Sequence, residues 1–270
     1  MTGYDRKPLA DSCDFALLAA QPRELESLLR RAVEVREERV HGEIIYRLWL
    51  PRPRSDDRPP LAGAAVCLPR AGRVEAALAT TNLLELAGPS HLILIGTAGG
   101  FSASGVALGD LVVATTIVDY ERQRLGAEHE FRLRYFPADQ QLLAASKAAA
   151  LTTWDRSPPG DAGEVSGLHF GAVLSGDKVI ASPRASSSLL QRVPAALGVE
   201  MEGAGAAMAA SRTVPPAKFL MIRGIVDLAN EDKRRDAELW TDETCDRLAS
   251  FTAATLGLLH ADRTLQDSAI

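Results

Sequence analysis

Short apolar runs rich in Ala, Val, Ile and Leu alternate along the chain with stretches of helical periodicity. The runs are short enough to predict buried strands, and they lie at residues 14–20, 62–68, 91–100, 108–120, 169–176, 197–201 and 218–227. Helices are predicted between and after them, over about 21–31, 72–87, 138–152, 182–193, 202–212 and 241–261. This alternation predicts an α/β fold: a single-domain three-layer α/β sandwich with a central mixed, largely parallel twisted sheet.

Three segments fall outside this alternation. Residues 40–50 predict an extended strand, and the charged, proline-rich segment 51–60 that follows it predicts a surface loop. Residues 121–137 alternate charged and apolar side chains, which is typical of an arm at the surface. No linker is long enough to separate two domains convincingly, so residues 1–270 are expected to form one domain with 1–13 flexible.

Composition narrows the class of partner. Of 270 residues, 46% are hydrophobic, 24% are charged and only 5% are aromatic, and the net charge is −5. A surface that stacks single-stranded nucleic acid needs more aromatic rings and a basic charge balance. No nucleic acid polymer is therefore expected to bind.

Neither a metal nor a cofactor is indicated. Cys13, Cys67 and Cys245 have no paired spacing, and the histidines form no H-x-x-x-H motif. The N-terminus is polar, and no run approaches roughly 18 apolar residues, so neither a signal peptide nor a membrane span is predicted. We expect a cytoplasmic protein without a membrane partner.

Candidate chemistry follows the ends of the strands, where ligands bind in parallel sheets. The GTAGG motif at 96–100 lets a ligand approach the backbone and offers the hydroxyl of Thr97, although a tight turn would use the same glycines. In the VEME motif, Glu200 and Glu202 would point to one side of a continuing strand, with Met201 opposite. A carboxylate there suits two vicinal hydroxyls such as those of a ribose, but Glu202 equally suits a helix N-terminus.

Two further carboxylates follow strands. Asp227 ends the apolar strand 218–227, where a partly buried carboxyl suits a general acid; a salt bridge to Arg223 or a helix cap is the alternative. Glu24 follows the first strand, and taken alone it predicts only an exposed helical glutamate. The SGDK segment at 175–178 is another candidate strand end.

Together these motifs resemble the nucleoside phosphorylase and nucleosidase superfamily, and most closely its methylthioadenosine/S-adenosylhomocysteine nucleosidase-like hydrolases. The resemblance spans about residues 14–232 and is carried, in the family's order, by LLAAQPRELESLL, LPRAGRVEAALATTNLL, LILIGTAGG, LGDLVVAT, AVLSGDKVI, GVEMEGAGAAMAA and MIRGIVDLAN. It implies a nucleoside phosphorylase-like fold and cleavage of the N-glycosidic bond of a purine nucleoside or nucleoside derivative. The implied partner is a small-molecule nucleoside, with no cofactor.

The resemblance implies a role for each candidate residue. Glu24 matches the glutamate that activates water, and Asp227 matches the aspartate that assists the leaving base. Glu202 matches the glutamate that holds the ribose hydroxyls, Met201 matches the methionine beneath the sugar, and Thr97 matches a small hydroxyl residue near the nucleophile. The remaining candidate substrate contacts are Gly99, Gly100, Val179, Ile180, Glu200 and Arg223.

The nucleophile divides this family into two subclasses. Phosphorylases carry a G-D-P-x-R type loop after the first strand and an arginine two residues before the glycine of the GT loop, where this chain has AQPRE and Leu94. A hydrolase is therefore favoured, while Arg23 and Arg73 keep a phosphorylase open. A nucleoside- or nucleotide-binding sensor with the same pocket is a third interpretation, although a pure binder has little need for Glu24.

Two positions depart from the adenine-specific branch. Val179 stands where that branch has a stacking phenylalanine, and Val226 stands where it has a serine beside the aspartate. Base recognition would then rest on Met201, on backbone groups near Gly99 and Ile180, and on an aromatic ring from Phe101 or a neighbouring chain.

Charge and assembly complete the expectations. Lys178 and Arg184 are interpreted as solvated surface charges, with contact to a 5′-phosphate as the alternative. Because members of the family commonly assemble, a homodimer or higher homo-oligomer is expected. Phe131, Tyr135 and Phe136 are its candidate contact, and a free surface hairpin is the alternative.

Overall fold

Strands and helices alternate over the part of the chain that the computed structural model describes, residues 13–40, 42–53, 56–126, 129–152 and 167–261. The strands are β1 (Phe15–Ala19), β2 (Glu34–Val40), β3 (Glu43–Leu50), β4 (Leu61–Cys67), β5 (His91–Gly100), β6 (Leu111–Asp119), β7 (Gln123–Leu125), β8 (His129–Phe131), β9 (Arg134–Pro137), β10 (Leu168–Ser175), β11 (Ala196–Glu200) and β12 (Lys218–Asp227). The helices are α1 (Pro22–Leu29), α2 (Arg73–Ala87), α3 (Gln140–Thr152), α4 (Pro183–Arg192), α5 (Gly203–Ala210) and α6 (Lys233–Ala261), with a 3₁₀ turn at Ser102–Ser104. Except for Cys13, the N-terminal segment expected to be flexible lies outside these residues.

One large mixed sheet carries most of the strands, in the order β2-β3-β4-β1-β5-β12-β6-β10-β11. Strands β4, β1, β5 and β12 are parallel neighbours, as are β6, β10 and β11, whereas β12 and β6 are antiparallel. The carboxyl ends of β1, β5 and β12 therefore meet at one edge. Ligands are expected at that edge in sheets of this kind.

Helices cover both faces of this sheet. On one face, α2 and α5 pack on alternate strand residues such as Leu94 and Met221. On the other, α1, α3 and α6 pack on the intervening residues, among them Ile93, Ile95 and Ile222. Strands buried on both faces explain the continuous apolar runs of the sequence. The predicted three-layer α/β sandwich is confirmed.

A second contact of β11 closes part of the sheet into a ring. Beyond its parallel pairing with β10, β11 runs antiparallel to the end of β5, with Gly198 opposite Gly100 and Val199 opposite Gly99. A side chain at position 198 would place its Cβ 2.7 Å from the carbonyl oxygen of Gly99, so only glycine allows this approach. Strands β5, β12, β6, β10 and β11 thus form a closed set.

The structure differs from the prediction at three places. The strand expected over 40–50 is present as β3, but a further strand, β2, precedes it and forms a hairpin with it through a turn at Gly42 (φ 87°). The sequence pattern does not indicate β2, because this edge strand is largely exposed and its residues are mostly charged. The last helix begins at Lys233 instead of 241, and the 121–137 segment contains a β7–β8 ribbon and then β9, which pairs with β6.

The long C-terminal helix carries charged residues over its first half. Among the described residues, no helix is long and apolar enough to cross a membrane.

Replacing Gly205 with Ala is expected to lower the free energy of unfolding by about 3 kcal/mol, because overpacking a helix contact costs more than helix propensity returns. An added Cβ would lie 1.9 Å from the backbone oxygen of Arg73, where α5 packs on α2. Urea unfolding measures the change. The control Ala209→Gly on the same helix should cost only about 1 kcal/mol, and a G205A variant more stable than the parent would refute the packing argument.

Candidate active site

The ends of four strands meet around one pocket of about 260 Å³. Residues after β1 and β11 face residues from the ends of β5 and β12. The pocket is lined by Ala20, Gln21, Glu24, Ala71, Thr97, Ala98, Gly99, Lys178, Val179, Ile180, Val199, Glu200, Met201, Glu202, Asp227 and Lys233. Four of these side chains are carboxylates, so the pocket suits a polar ligand that donates hydrogen bonds or carries positive charge.

Glu24 lies in the first turn of α1, directly after β1, and is only 1% exposed. Its Oε2 accepts hydrogen bonds from the backbone N–H groups of Ala20 (2.9 Å) and Gln21 (2.8 Å). Its Oε1 accepts from the N–H (2.8 Å) and the hydroxyl (3.0 Å) of Thr97. These four donors fix the carboxylate at the pocket wall.

Burial raises the pKa of Glu24 above its ordinary value, although the nearby Arg223 guanidinium and the hydrogen bonds from Thr97 and Gln21 partly oppose this. A carboxylate with a raised pKa is a better base near neutrality than an exposed one. The arrangement suits removal of a proton from a water molecule.

If Glu24 must be ionised to act as a base, kcat/KM is expected to fall as the pH is lowered, at a pH above the ordinary glutamate value of 4.5. The raised pKa of Glu202, caused first by burial, moves the acid limb in the same direction. A pH–rate profile measures this.

The pH dependence of stability has the opposite sign. A folded group with a raised pKa holds its proton more tightly than the unfolded chain, so its stabilising contribution is present at low pH and is lost as the pH rises through the folded pKa. Circular dichroism should accordingly show no unfolding that originates from Glu24 in the acid range. Rates that stay constant down to pH 4.5 would contradict a basic role.

Arg223 of β12 joins the two glutamates of the VEME motif. Its Nη2 donates to Glu202 Oε2 at 3.0 Å and also to Glu200 Oε2, and the guanidinium is fully buried. Glu200 further accepts from the N–H groups of Glu202 and Gly203, at the start of α5. The expected continuing strand is therefore wrong: β11 ends at Glu200, and Glu202 lies in the αR region before the helix. The Glu200 and Glu202 carboxylates lie close together because both accept hydrogen bonds from Arg223, and not because alternate residues of a strand point to the same side.

Glu202 is the better placed of these two carboxylates to meet a ligand, because it accepts from two donor groups, whereas Glu200 accepts from three. Both line the pocket, and the Oε1 of Glu202 accepts from the N–H of Gly72 at 3.0 Å. Met201, next to it, also lines the pocket. Glu202 keeps lone pairs on both oxygens for hydroxyl donors, because a carboxylate has about four acceptor positions.

Asp227 ends β12 and is 2% exposed. Its Oδ1 accepts from the N–H of Ala229 at 2.9 Å, and its Oδ2 pairs with the ammonium of Lys233 at 2.5 Å. The alternative of a salt bridge to Arg223 is wrong, because Asp227 pairs with Lys233 and the Arg223 guanidinium pairs with Glu200 and Glu202.

Most of the predicted site residues border the pocket, and two lie behind its wall. Gly100 pairs with Gly198 in the β5–β11 contact, and Arg223 is buried beneath the glutamates. Phe101, suggested as a stacking ring, is packed in a separate apolar cluster with Val118 and Leu174. None of these three residues lines the pocket, so a ligand contact stays a prediction for each.

The arginines that kept a phosphorylase open are engaged elsewhere. Arg23 pairs with Asp242 on the surface, and Arg73 pairs with Asp119 (2.9 Å) and Asp177 (2.8 Å). Neither lines the pocket, and Leu94 is buried in the core. Among the described pocket residues, the cations are Lys178, which pairs with Glu121 at 2.6 Å, and Lys233.

The sequence pattern does not indicate two contributors to the site. Lys233 precedes the predicted last helix, although α6 begins there, and Gly72 contributes only a backbone N–H. The six-residue spacing from Asp227 to Lys233 offered a weak signal, since a helix start after the strand could return that side chain to the carboxylate. Within the described ranges, no group of His, Cys, Asp and Glu could hold a metal ion.

Comparisons with known proteins match this architecture. The family model described as the phosphorylase superfamily matches residues 14–260. A 5′-methylthioadenosine/S-adenosylhomocysteine nucleosidase of Maridesulfovibrio salexigens is 33% identical over 166 residues, which cover 60% of this chain and 66% of the relative, just under two thirds of its length. The corresponding nucleosidase of Shewanella pealeana is 32% identical over 183 residues, covering 65% of this chain and 74% of the relative.

Solved structures show the same fold at lower identity. A nucleosidase of this name from S. pneumoniae, with the transition-state inhibitor MT-ImmA, superposes with a TM-score of 0.73 at 24% identity, covering 91% of this chain and 99% of that one. The futalosine hydrolase of Helicobacter pylori superposes with a TM-score of 0.71 at 19% identity, covering 90% and 97%.

The chain belongs to the phosphorylase superfamily. Among its curated relatives are nucleosidases, and the prediction of an enzyme of the nucleosidase type is confirmed.

Proposed function

We propose that this protein hydrolyses the N-glycosidic bond of a purine nucleoside or nucleoside derivative. The observation that carries the proposal is the Glu24 carboxylate, buried at the pocket wall and held by four donors. It lines the same pocket as Asp227 and Glu202. These three groups supply a base for water, a partner for the leaving base and an acceptor for sugar hydroxyls.

Bond cleavage at C1′ develops positive charge on the sugar and negative charge on the base. The Glu24, Glu200 and Glu202 carboxylates favour the cationic sugar, since charges fixed before the reaction stabilise a transition state without reorganisation. Asp227 helps to neutralise the negative charge that develops on the base as the C1′–N bond breaks. Water is the nucleophile: it adds to C1′ and gives a proton to Glu24.

Hydrolysis is favoured over phosphorolysis by the positions of the arginines. A phosphate nucleophile carries at least one negative charge and needs cations around it. Beside Glu24 the lining residues Ala20, Gln21 and Thr97 are uncharged, and Arg23 and Arg73 are paired outside the pocket. A neutral water molecule is compatible with the carboxylate there, whereas phosphate would be repelled.

The purine is supported by the relatives. Their names specify 5′-methylthioadenosine and S-adenosylhomocysteine, and one neighbouring structure, from Colwellia psychrerythraea, holds adenine. In this chain Val179 is 65% exposed at the pocket, and this aliphatic side chain stands where the adenine-specific branch has a phenylalanine.

We propose a single-domain homo-oligomer in the cytoplasm, with the exposed Tyr135 near the contact between copies.

A panel of nucleosides and nucleotides, assayed with and without inorganic phosphate, tests the proposal. Release of free purine and free ribose, or a ribose derivative, without phosphate is the expected result, with ¹⁸O from labelled water entering at C1′. Turnover that requires phosphate and yields ribose 1-phosphate would replace the hydrolase by a phosphorylase. Tight binding without turnover would instead indicate a sensor.

A further inference from the structure

Asp227 differs from the other pocket carboxylates in its cationic partner, which is Lys233. Glu200 and Glu202 pair with Arg223, a guanidinium that stays protonated at any physiological pH. Asp227 pairs with a lysine, whose ammonium can release a proton. The carboxylate on the leaving-base side of the pocket therefore has a partner of different chemistry.

Exposure differs sharply across this pair. The Asp227 side chain is 3% exposed, whereas that of Lys233 is 32% exposed and also lines the pocket. The remaining Asp227 oxygen accepts from the backbone N–H of Ala229. A buried carboxylate that contacts an ammonium reaching solvent has a ready route for protons, and that route passes through the lysine.

We propose that Lys233 is a positioning residue that supplies, through Asp227, the proton taken up by the departing purine. This inference rests on the proposed nucleosidase function. As the C1′–N bond breaks, its electron pair moves to the base. The Lys233 Nζ–H bond breaks while a proton joins Asp227 Oδ2, and that proton then passes from Oδ2 to a ring nitrogen of the purine. The neutral amine regains a proton from solvent, and the proton of the attacking water goes to Glu24.

Charged groups from several elements line the pocket with Lys233. They are Glu24 of α1, Lys178 after β10, Glu200 at the end of β11, and Glu202 before α5. Beside Lys233 in the sequence, Asp232 and Asp236 pair with Arg235. Among the four pocket carboxylates, Asp227 is the one that the Lys233 ammonium contacts, so a proton released by the lysine passes to Asp227.

Substitution by Arg and by Ala separates proton supply from charge and packing. K233R keeps a cation that can hold Asp227 but cannot release a proton, and K233A removes both functions. We expect each to lower kcat for the best purine nucleoside by about 10²-fold at neutral pH, with KM changed less. The loss of kcat should increase with rising pH, where the wild-type rate stays nearly constant.

A rescue experiment and a control variant complete the test. Added methylammonium should partly restore K233A, whereas guanidinium should not. The neighbouring exposed residue gives the control R234M, which should retain full activity.

The results for the variants and for the wild-type protein distinguish the proton-supply proposal from the proposed function. If K233R keeps wild-type activity and pH profile, Lys233 only positions a charge and the proton-supply proposal is overturned. If K233A folds, as judged by circular dichroism, and loses activity that methylammonium fails to restore at any pH, the proposal is likewise overturned. If the wild-type protein turns over no nucleoside, the proposed function itself fails, which the same assay reports before any variant is made.

Discussion

Glu24→Gln is expected to lower kcat by about 10³-fold while leaving nucleoside binding within a fewfold of wild type, because general base catalysis contributes about 10²–10⁴-fold. The amide has nearly the same shape as the carboxylate but cannot take a proton from water. Its NH₂ group would also face two N–H groups, or the Thr97 N–H and hydroxyl, that now donate to the carboxylate. Steady-state kinetics with the best substrate measures kcat, and the KM of E24Q and of the wild type compares nucleoside binding.

The same helix offers a matched control. Glu26 is exposed two residues further on, so Glu26→Gln makes the same chemical change outside the pocket. It should leave kcat unchanged. Should E24Q retain at least a third of the wild-type kcat, the water would have to be activated by another group, and the proposed mechanism would be wrong.

Arg223→Met is expected to lower the free energy of unfolding by about 4 kcal/mol, because removing one partner of a buried ion cluster leaves the others uncompensated. The guanidinium donates to Glu200 and Glu202 in the closed interior, and its charge also acts on Glu24. Met fills a similar volume without charge, so the loss is chiefly electrostatic. Urea unfolding at neutral pH gives the value, and activity should be lost as well because the site carboxylates lose their shared partner.

Two further variants test this cause. Combining R223M with E200Q and E202Q removes the uncompensated charge and should return part of the lost stability. Arg184→Met, at an exposed position of α4, should change stability by less than about 0.5 kcal/mol. If R223M alone is as stable as wild type, the buried cluster contributes little and the glutamates must be held by their backbone donors.

The periodicity of the sequence was sufficient for the sheet and its helices because the strands are buried on both faces. The runs at 91–100 and 218–227 coincide with β5 and β12. It was insufficient for β2, whose exposed edge strand carries a charged sequence, and for the first turns of α6, which are also charged and largely exposed. Both elements are fixed by tertiary contacts that no local pattern reports.

For the site, strand ends and the family resemblance identified Glu24, Glu202 and Asp227, which border the same pocket. Pairing within the site could not be inferred in this way. Whether Asp227 pairs with Arg223 or with Lys233 depends on which carboxylates lie closest to the guanidinium in the folded protein, and sequence spacing does not give these distances. The roles of these residues stay predictions until the variants above are measured.

The β5–β11 contact has a mechanical consequence. In this ladder Gly99 pairs with Val199. Thr97, two residues before Gly99, donates to Glu24, and Glu200 and Glu202 follow Val199. The two halves of the pocket cannot hinge apart without breaking interstrand hydrogen bonds between glycine-rich segments. The separation of the Glu24 and Glu202 carboxylates is therefore set by the folded backbone before any ligand arrives.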